Sequence, residues 1–269
     1  MPNFHHGFDL HYRTYGKGPV HFICFHGFGR SGGDFWSLGN ELGKTCTFHA
    51  FDLHFHGSSL GDPARADDPF TPAELSGYFH AFADHLQEPR INVLGYSLGG
   101  RMALSLLEHM PERIEKAFLL APDGLKMRPW YRGLAASAIG RSLYKHFVDK
   151  PHQFHRLVQG LRRMNIVNDH MVQFVMRHTG ARERRQLLHD VWLSYRLIEP
   201  DLRTVGANLI KHDIDVLLLF GKYDRVIPPS LGKSLKLLAP RHVTEKILPT
   251  GHWLLGPPLP ELIMEQLQK

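Results

Sequence analysis

The sequence predicts an α/β fold: a mostly parallel twisted sheet with helices on both faces, interrupted by one helical insertion. Three observations point there. Short apolar runs alternate with longer stretches of helical period along most of the chain, which is the pattern of strand–helix–strand units whose sheet must be covered on both sides. The run Val93-Leu94-Gly95-Tyr96 leads into Ser97 and then into Leu98-Gly99-Gly100-Arg101 and Met102 to Leu107, a strand turning sharply into a helix at a glycine-flanked serine. From Leu125 to Val205 the alternation stops, and helical periodicity continues without a convincing strand.

Taken in order, strands are expected near 8–15, 20–25, 46–52, 91–96, 115–121, 215–220 and 243–248, and helices near 34–43, 72–87, 99–109, 229–239 and 259–268. The opening segment, Phe8 to Tyr15, alternates polar and apolar positions as a strand with one buried face does. Thr71 precedes Pro72 and has Glu74 three positions on, the pattern of a capped helix start with proline in its first turn. A chain of 269 residues can bury a substantial core as one domain. The expected division is a core of 1–124 with 206–269 and an insertion of 125–205.

Charge separates these two parts. The chain carries a formal +6, but 125–205 holds 15 Lys or Arg against 6 Asp or Glu, so the insertion is basic and the remainder is net negative. Solvated helix faces account for such a balance. The sharper reading has some of Arg128, Arg132, Arg162, Arg163, Arg177, Arg182, Arg184, Arg185 and Arg196 facing a pocket and attracting an anionic substrate. Nucleic acid is not expected as a partner, because no nucleic-acid module accompanies the charge. Cys24 and Cys46 both fall in apolar runs and read as small buried hydrophobes. The N-terminus lacks a cationic segment followed by an apolar stretch, and no apolar run is long enough to span a bilayer, so a soluble, cytoplasmic location without membrane contact is expected. Oligomeric state is left open.

The chemistry centres on Ser97. Downstream, Val216 to Phe220 reads as a buried strand followed by Gly221-Lys222-Tyr223-Asp224, and Lys246 to Leu248 as a strand followed by Pro249-Thr250-Gly251-His252-Trp253. Asp224 and His252 thus stand at strand ends, where an acid and a base are needed to activate a serine hydroxyl. Upstream, Phe22 to Phe25 runs into His26-Gly27-Phe28-Gly29, whose Phe28 N–H could join that of Leu98 in stabilising a developing oxyanion. His26 is expected to orient that loop by hydrogen bonding and, with Tyr96, Arg101 and Trp253, is a candidate substrate contact. His54 and His56 would project to one side if extended, but no third ligand at recognisable spacing joins them. No metal and no cofactor are expected.

These four segments, together with Phe51-Asp52-Leu53-His54-Phe55-His56-Gly57-Ser58-Ser59, resemble the α/β-hydrolase superfamily from about residue 8 to the C-terminus, and the order Ser97, Asp224, His252 is the order of that superfamily. One departure stands out: where the superfamily usually has Gly-His-Gly, this chain has Phe55-His56-Gly57. The resemblance implies a helical cap at 125–205 and a serine esterase acting on a small-molecule ester or thioester through an acyl-enzyme. A serine at the elbow also argues against epoxide hydrolases and haloalkane dehalogenases, whose elbows carry aspartate. Some members take their acid from the preceding strand, which makes Asp123 the rival of Asp224. The sequence Tyr96-Ser97-Leu98-Gly99-Gly100-Arg101 also resembles the elbow of the menaquinone-biosynthesis lyase that eliminates pyruvate, where the triad acts as a base and arginines hold carboxylates. A noncatalytic ligand receptor on the same fold is the third possibility. Trp130, Tyr131, Phe147, Phe154, Phe174 and Trp192 of the insertion could line an apolar pocket or form the insertion's own core.

Overall fold

A computed structural model of the chain describes residues 9–126, 137–164, 172 and 181–269, apart from the side chains of 138, 139, 143, 147, 154 and 155. Seven strands form one sheet: β1 (Tyr12–Gly16), β2 (Val20–Phe25), β3 (Cys46–Phe51), β4 (Ile91–Tyr96), β5 (Ile114–Leu120), β6 (Asp215–Gly221) and β7 (Val243–Leu248), in the order β1-β3-β2-β4-β5-β6-β7. Only β1 is antiparallel; it pairs with β3, Tyr12 opposite Phe51, and every other neighbour is parallel. β1 is displaced toward the C-terminus of the expected 8–15, and Phe8 lies outside the described residues.

The sheet is coated on both faces because its strands carry apolar side chains on both. On one face Phe25 and Phe51 meet Phe79 and Phe82 of α2 (Pro72–His85) edge to face, with centroids about 5 Å apart, the arrangement that the ring quadrupole favours. The same face carries α3 (Leu98–His109). On the other, Phe22 packs between Phe48 and Phe118, and α1 (Trp36–Leu42) approaches so closely that a Cβ on Gly39 would lie 2.3 Å from Tyr15 Cβ. All seven of these phenylalanines are fully buried. Each side chain so removed from water contributes about 1.5–3 kcal/mol, so the sheet unit has little need of special tertiary bonds away from its loops.

The capped start read from the sequence is present: Glu74 N–H donates to Thr71 Oγ1 (3.1 Å), and Thr71 N–H to Glu74 Oε2 (2.8 Å). The helix expected over 34–43 begins as a 3-10 turn, Gly32–Phe35, before α1, and that over 229–239 as Pro229–Leu231 before the short helix Lys233–Leu238. Cys24 and Cys46 are buried free thiols, and burial raises both pKa values.

The chain divides into two compact units, 1–61 with 71–126 and 198–269, and 62–70 with 127–197. The boundaries differ from the sequence expectation by two residues at 125–126 and more substantially at two other places. Helix Leu202–Lys211 packs on α3 and belongs to the sheet unit. Residues 62–70, assigned from sequence to the core, belong to the helical unit, held there by backbone carbonyls that no sequence pattern advertises. In the helical unit, α4 (Ala138–Asp149), α5 (Pro151–Arg163) and α6 (Arg182–Ser194) are the described α-helices. Phe70 N–H donates to Ser194 O (2.8 Å), Arg196 donates to the carbonyls of Ala66, Leu193 and Asp67, and the Phe70 and Tyr195 rings lie 5.2 Å apart.

Three of the nine arginines singled out from sequence have local tasks. Arg185 is buried and donates to Val148 O (2.8 Å), Arg196 holds the 62–70 segment, and Arg182 pairs with Asp149 at 3.4 Å. Arg162, Arg163 and Arg184 are exposed, whereas Arg128, Arg132 and Arg177 lie outside the described residues. Of the aromatics, Trp192 packs with Tyr144 beside Ala66 and Leu193. Trp130, Tyr131 and Phe174, like the side chains of Phe147 and Phe154, are outside the description. Among the described residues no helix is long and apolar enough to cross a membrane, and no group of three or more His, Cys, Asp or Glu is arranged to hold a metal.

Candidate active site

Parallel β4 ends at Tyr96, α3 begins at Leu98, and Ser97 alone makes the turn, with φ 52° and ψ −115°. A non-glycine residue in this region costs about 1–3 kcal/mol, and the surrounding packing holds it there. A Cβ on Gly95 would lie 2.4 Å from Gly99 O, and one on Gly99 would lie 2.1 Å from Phe25 O. The two glycines flanking Ser97 at one residue's remove therefore let helix and strand approach one another. Ser97 N–H donates to Leu120 O (2.9 Å), while Ser97 O accepts from Gly100 N–H (2.8 Å) and Asp123 N–H (2.9 Å).

His252 meets this serine. Its Nε2 is 3.0 Å from Ser97 Oγ, and its Nδ1 is 2.6 Å from Asp224 Oδ2. Asp224 has no exposed side-chain surface, and His252 retains 26% of its own. Asp224 Oδ1 accepts from the N–H groups of Val226 (2.8 Å) and Ile227 (3.0 Å), so both carboxylate oxygens are committed and the side chain cannot swing away. The loops bearing acid and imidazole are stitched together by Lys222 N–H to Leu248 O and Tyr223 N–H to Thr250 O. A carboxylate accepting from Nδ1–H leaves the lone pair on Nε2, which is the tautomer able to accept the serine proton.

Asp123, the rival acid, is elsewhere. Its carboxylate binds the Arg101 guanidinium and caps its own loop through Gly124 N–H. Arg101 is only 7% exposed, and its guanidinium is the counterion of Asp123. His26 turns both ring nitrogens to backbone. It is fully buried, with Nδ1–H on Gly27 O (2.7 Å) and Nε2 accepting from Leu53 N–H (3.0 Å). Burial, aided by the neighbouring His56, lowers its pKa to about 3. Its expected part in orienting the loop agrees with these bonds.

The remaining candidates line the vicinity of the serine. A Cβ on Gly27 would sit 3.0 Å from the Tyr96 ring and 3.3 Å from Ser97 Cβ, so the loop carrying Phe28 adjoins the serine directly. Leu98 opens α3, where first-turn N–H groups have no intrahelical acceptor. The Tyr96 ring is 5.3 Å from His252 and 5.8 Å from Trp253; burial lifts the Tyr96 hydroxyl to about 12. Trp253 is 44% exposed, and the Arg30 guanidinium stacks 4.4 Å above it while bonding Asp34 through two nitrogens. Arg30 was not singled out by the sequence; only its place two residues after Phe28 could have drawn notice.

The segment 52–59 carries two further side chains, Asp52 and His56, that accept from loop N–H groups. Asp52 is fully buried and accepts from Gly32 N–H (2.6 Å), Ser58 N–H (2.8 Å) and Arg13. Burial would raise its pKa, but the two N–H groups and Arg13 outweigh that and hold the carboxyl below its ordinary value. His56 accepts from Gly29 N–H at 2.9 Å. Phe55, standing where the superfamily usually has glycine, has φ +67°, a conformation that glycine adopts freely and a bulky side chain rarely does.

With this geometry in view, comparison with known proteins is informative. The family model of the alpha/beta hydrolase fold matches residues 20–256. The uncharacterized hydrolase YugF of Bacillus subtilis (strain 168) is 26% identical over 264 residues, 97% of this chain and 93% of its own length. A pimeloyl-[acyl-carrier protein] methyl ester esterase of Salmonella newport (strain SL254) is 24% identical over 251 residues, 89% of each chain. Among solved structures, a thermophilic esterase from Thermogutta terrifontis superposes with a TM-score of 0.67 at 17% identity, covering 97% of this chain and 93% of its own. The enol-lactonase from Burkholderia xenovorans LB400 gives 0.66 at 16%, covering 98% of each. At such identities the solved structures speak to the fold alone. The family model spans most of the sequence, from β2 past His252, and this chain belongs to the alpha/beta hydrolase fold family.

Proposed function

We propose that this α/β-fold hydrolase cleaves carboxylic esters or thioesters of small molecules through an acyl-enzyme on Ser97. The observation that carries the reading is the unbroken hydrogen-bonded line from Ser97 Oγ through the His252 ring to the buried Asp224 carboxylate. His252 takes the serine proton as Oγ attacks the carbonyl carbon, Asp224 stabilises the imidazolium, and the proton passes to the departing alcohol or thiol. Water then repeats the sequence on the acyl-enzyme and releases the acid. The N–H groups of Phe28 and Leu98 receive the oxyanion; losing one such donor typically costs about 2.7–4 kcal/mol of transition-state stabilisation.

The esterase relative supports the ester as substrate class, without fixing acyl or alcohol portion. The larger part of the helical unit, 127–197, is inserted between β5, whose end adjoins Ser97, and β6, whose end leads to Asp224; on that place in the chain we read it as the cap. The lyase alternative needs a guanidinium offered to carboxylates near Ser97, and the engagement of Arg101 by Asp123 speaks against it. Labelling with a fluorophosphonate tests the reading: one adduct is expected on Ser97, none in Ser97→Ala, together with p-nitrophenyl ester turnover that this variant loses. Turnover undiminished in Ser97→Ala would sink it.

A further inference from the structure

We propose that His56 is a positioning residue for the oxyanion donor at Phe28, clamping the peptide that follows Phe28 while His26 clamps the one that precedes it. The inference rests on the reading of Ser97 as nucleophile and deepens it, because it concerns how the same site holds its oxyanion donor.

The peptide unit is planar and trans, so a C=O and the N–H of the next residue point in opposite directions. Gly27 C=O and Phe28 N–H share one such plane. The 2.7 Å bond from His26 Nδ1–H to Gly27 O therefore also sets where the Phe28 N–H points. The next plane holds Phe28 C=O and Gly29 N–H, and the 2.9 Å bond from Gly29 N–H to His56 Nε2 sets that one. With both planes fixed, the torsions of Phe28 between them are fixed as well. Glycine at 27 and 29 makes the loop intrinsically permissive, Gly29 having φ +70°; the turn bond from Arg30 N–H to Gly27 O (3.2 Å) closes the loop, and the two imidazoles add the restraint on the planes either side of Phe28.

His56 is suited to this task in one protonation state. The Gly29 N–H can only donate, so Nε2 accepts; the His54 carbonyl, 3.0 Å from Nδ1, can only accept, so Nδ1 carries the proton. Neutral imidazole with Nδ1–H satisfies both partners. The ring is 4% exposed, stands 5.0 Å from the His26 ring and lies edge-on to the Phe28 ring at 5.7 Å. Burial lowers the pKa of His56, in keeping with a ring kept neutral.

An oxyanion donor acts in the transition state more than in the ground state, so its misplacement lowers kcat and leaves KM near its starting value. His56→Phe keeps ring volume but has no acceptor for Gly29 N–H; His56→Gln offers a carbonyl oxygen in its place. We expect His56→Phe to lower kcat for a p-nitrophenyl ester by about 10-fold to 10³-fold, the upper figure being that of a lost donor. KM should stay within about threefold, and affinity for phenylboronic acid, whose Ser97 adduct mimics the tetrahedral intermediate, should fall in parallel with kcat. Amide hydrogen exchange at Gly29 should accelerate in His56→Phe and stay slow in His56→Gln, which should recover most of kcat.

A folded His56→Phe that keeps kcat within about twofold, or loses only KM, would overturn the clamp, as would fast Gly29 exchange in the wild-type protein. If His56→Phe does not fold, His56→Gln decides: kcat and slow Gly29 exchange retained together support the clamp, and kcat lost with exchange still slow refutes it. Gly29 exchange reads the clamp without turnover, whereas persistence of activity in Ser97→Ala refutes the underlying function, so the two failures are told apart.

Discussion

The sheet unit and the helical unit hold their irregular backbone with different side chains. In the sheet unit, side chains that bond backbone cluster around the strand ends: His26 on Gly27 and Leu53, His56 on Gly29, Asp52 on Gly32 and Ser58, Asp224 on Val226 and Ile227. They fix loops in conformations the loops would not keep alone. In the helical unit, arginines do the comparable work between segments, Arg196 on Ala66, Leu193 and Asp67, and Arg185 on Val148. The difference teaches what the basic charge of the insertion is partly for. Long side chains with several donors bridge a stretch of irregular backbone to helices, and Arg185 and Arg196 are used in that way.

The largest effects should fall on the sheet unit's strand ends. Ser97→Ala and His252→Ala are each expected to lower kcat by about 10⁶-fold, and Asp224→Asn by about 10⁴-fold, measured as p-nitrophenyl ester turnover. If Asp123→Asn proved as damaging as Asp224→Asn, the assignment of the acid would pass to the loop that binds Arg101.

Next in size, the sheet's packed face can be set against the helical unit's bonded one. Phe51→Ala removes a fully buried ring touching Tyr12, Phe79 and Phe82 and should cost about 3–5 kcal/mol in denaturant unfolding. Arg196→Met keeps the stem and deletes the bonds to Ala66, Leu193 and Asp67; a loss of about 1–3 kcal/mol is expected from the orphaned carbonyls. Faster amide exchange at Phe70, which bonds Ser194 O, should accompany it. An unchanged Phe70 would mean that the arginine decorates the segment without holding it.

Acid should act through the sheet unit. Burial holds His26 at about 3 and His49 at about 4, both below the ordinary 6.5. The unfolded chain therefore binds these protons first as pH falls. The stability due to keeping them neutral is complete above about pH 6.5 and declines as pH drops toward the folded values. Unfolding free energy measured between pH 7 and 5 should fall, and His49→Gln should flatten the slope by up to one proton. A slope indifferent to that substitution would remove His49 from the account. The smallest effect is expected at the helix cap, where Thr71→Ala should cost about 1 kcal/mol, read as a shift in the unfolding midpoint.

Much of the strand-end chemistry was legible because steric necessity restricts residue choice there. Gly95 and Gly99 stand where any side chain would meet backbone, and such demands leave a readable spacing around Ser97. His252 and Asp224 were legible through their positions after apolar strands. His56 was visible only as one of 20 histidines; nothing along the chain says that it reaches Gly29, 27 residues away. The same holds for residues 62–70, whose attachment to the helical unit depends on carbonyls, which every residue possesses and which leave no mark on the sequence.

By itself, then, the sequence determined the alternation of strands and helices, the capped start of α2, the turn at Ser97 and the chain order of the three candidate catalytic groups, since each depends on local periodicity or on a residue type that the local backbone demands. Tertiary structure alone decided that Asp224 and not Asp123 meets His252, that Arg101 is a counterion, and that two buried imidazoles grip the Phe28 loop. Those outcomes depend on which distant groups come within about 3 Å in the fold, and hydrogen bonding at that range is a property of positions in space.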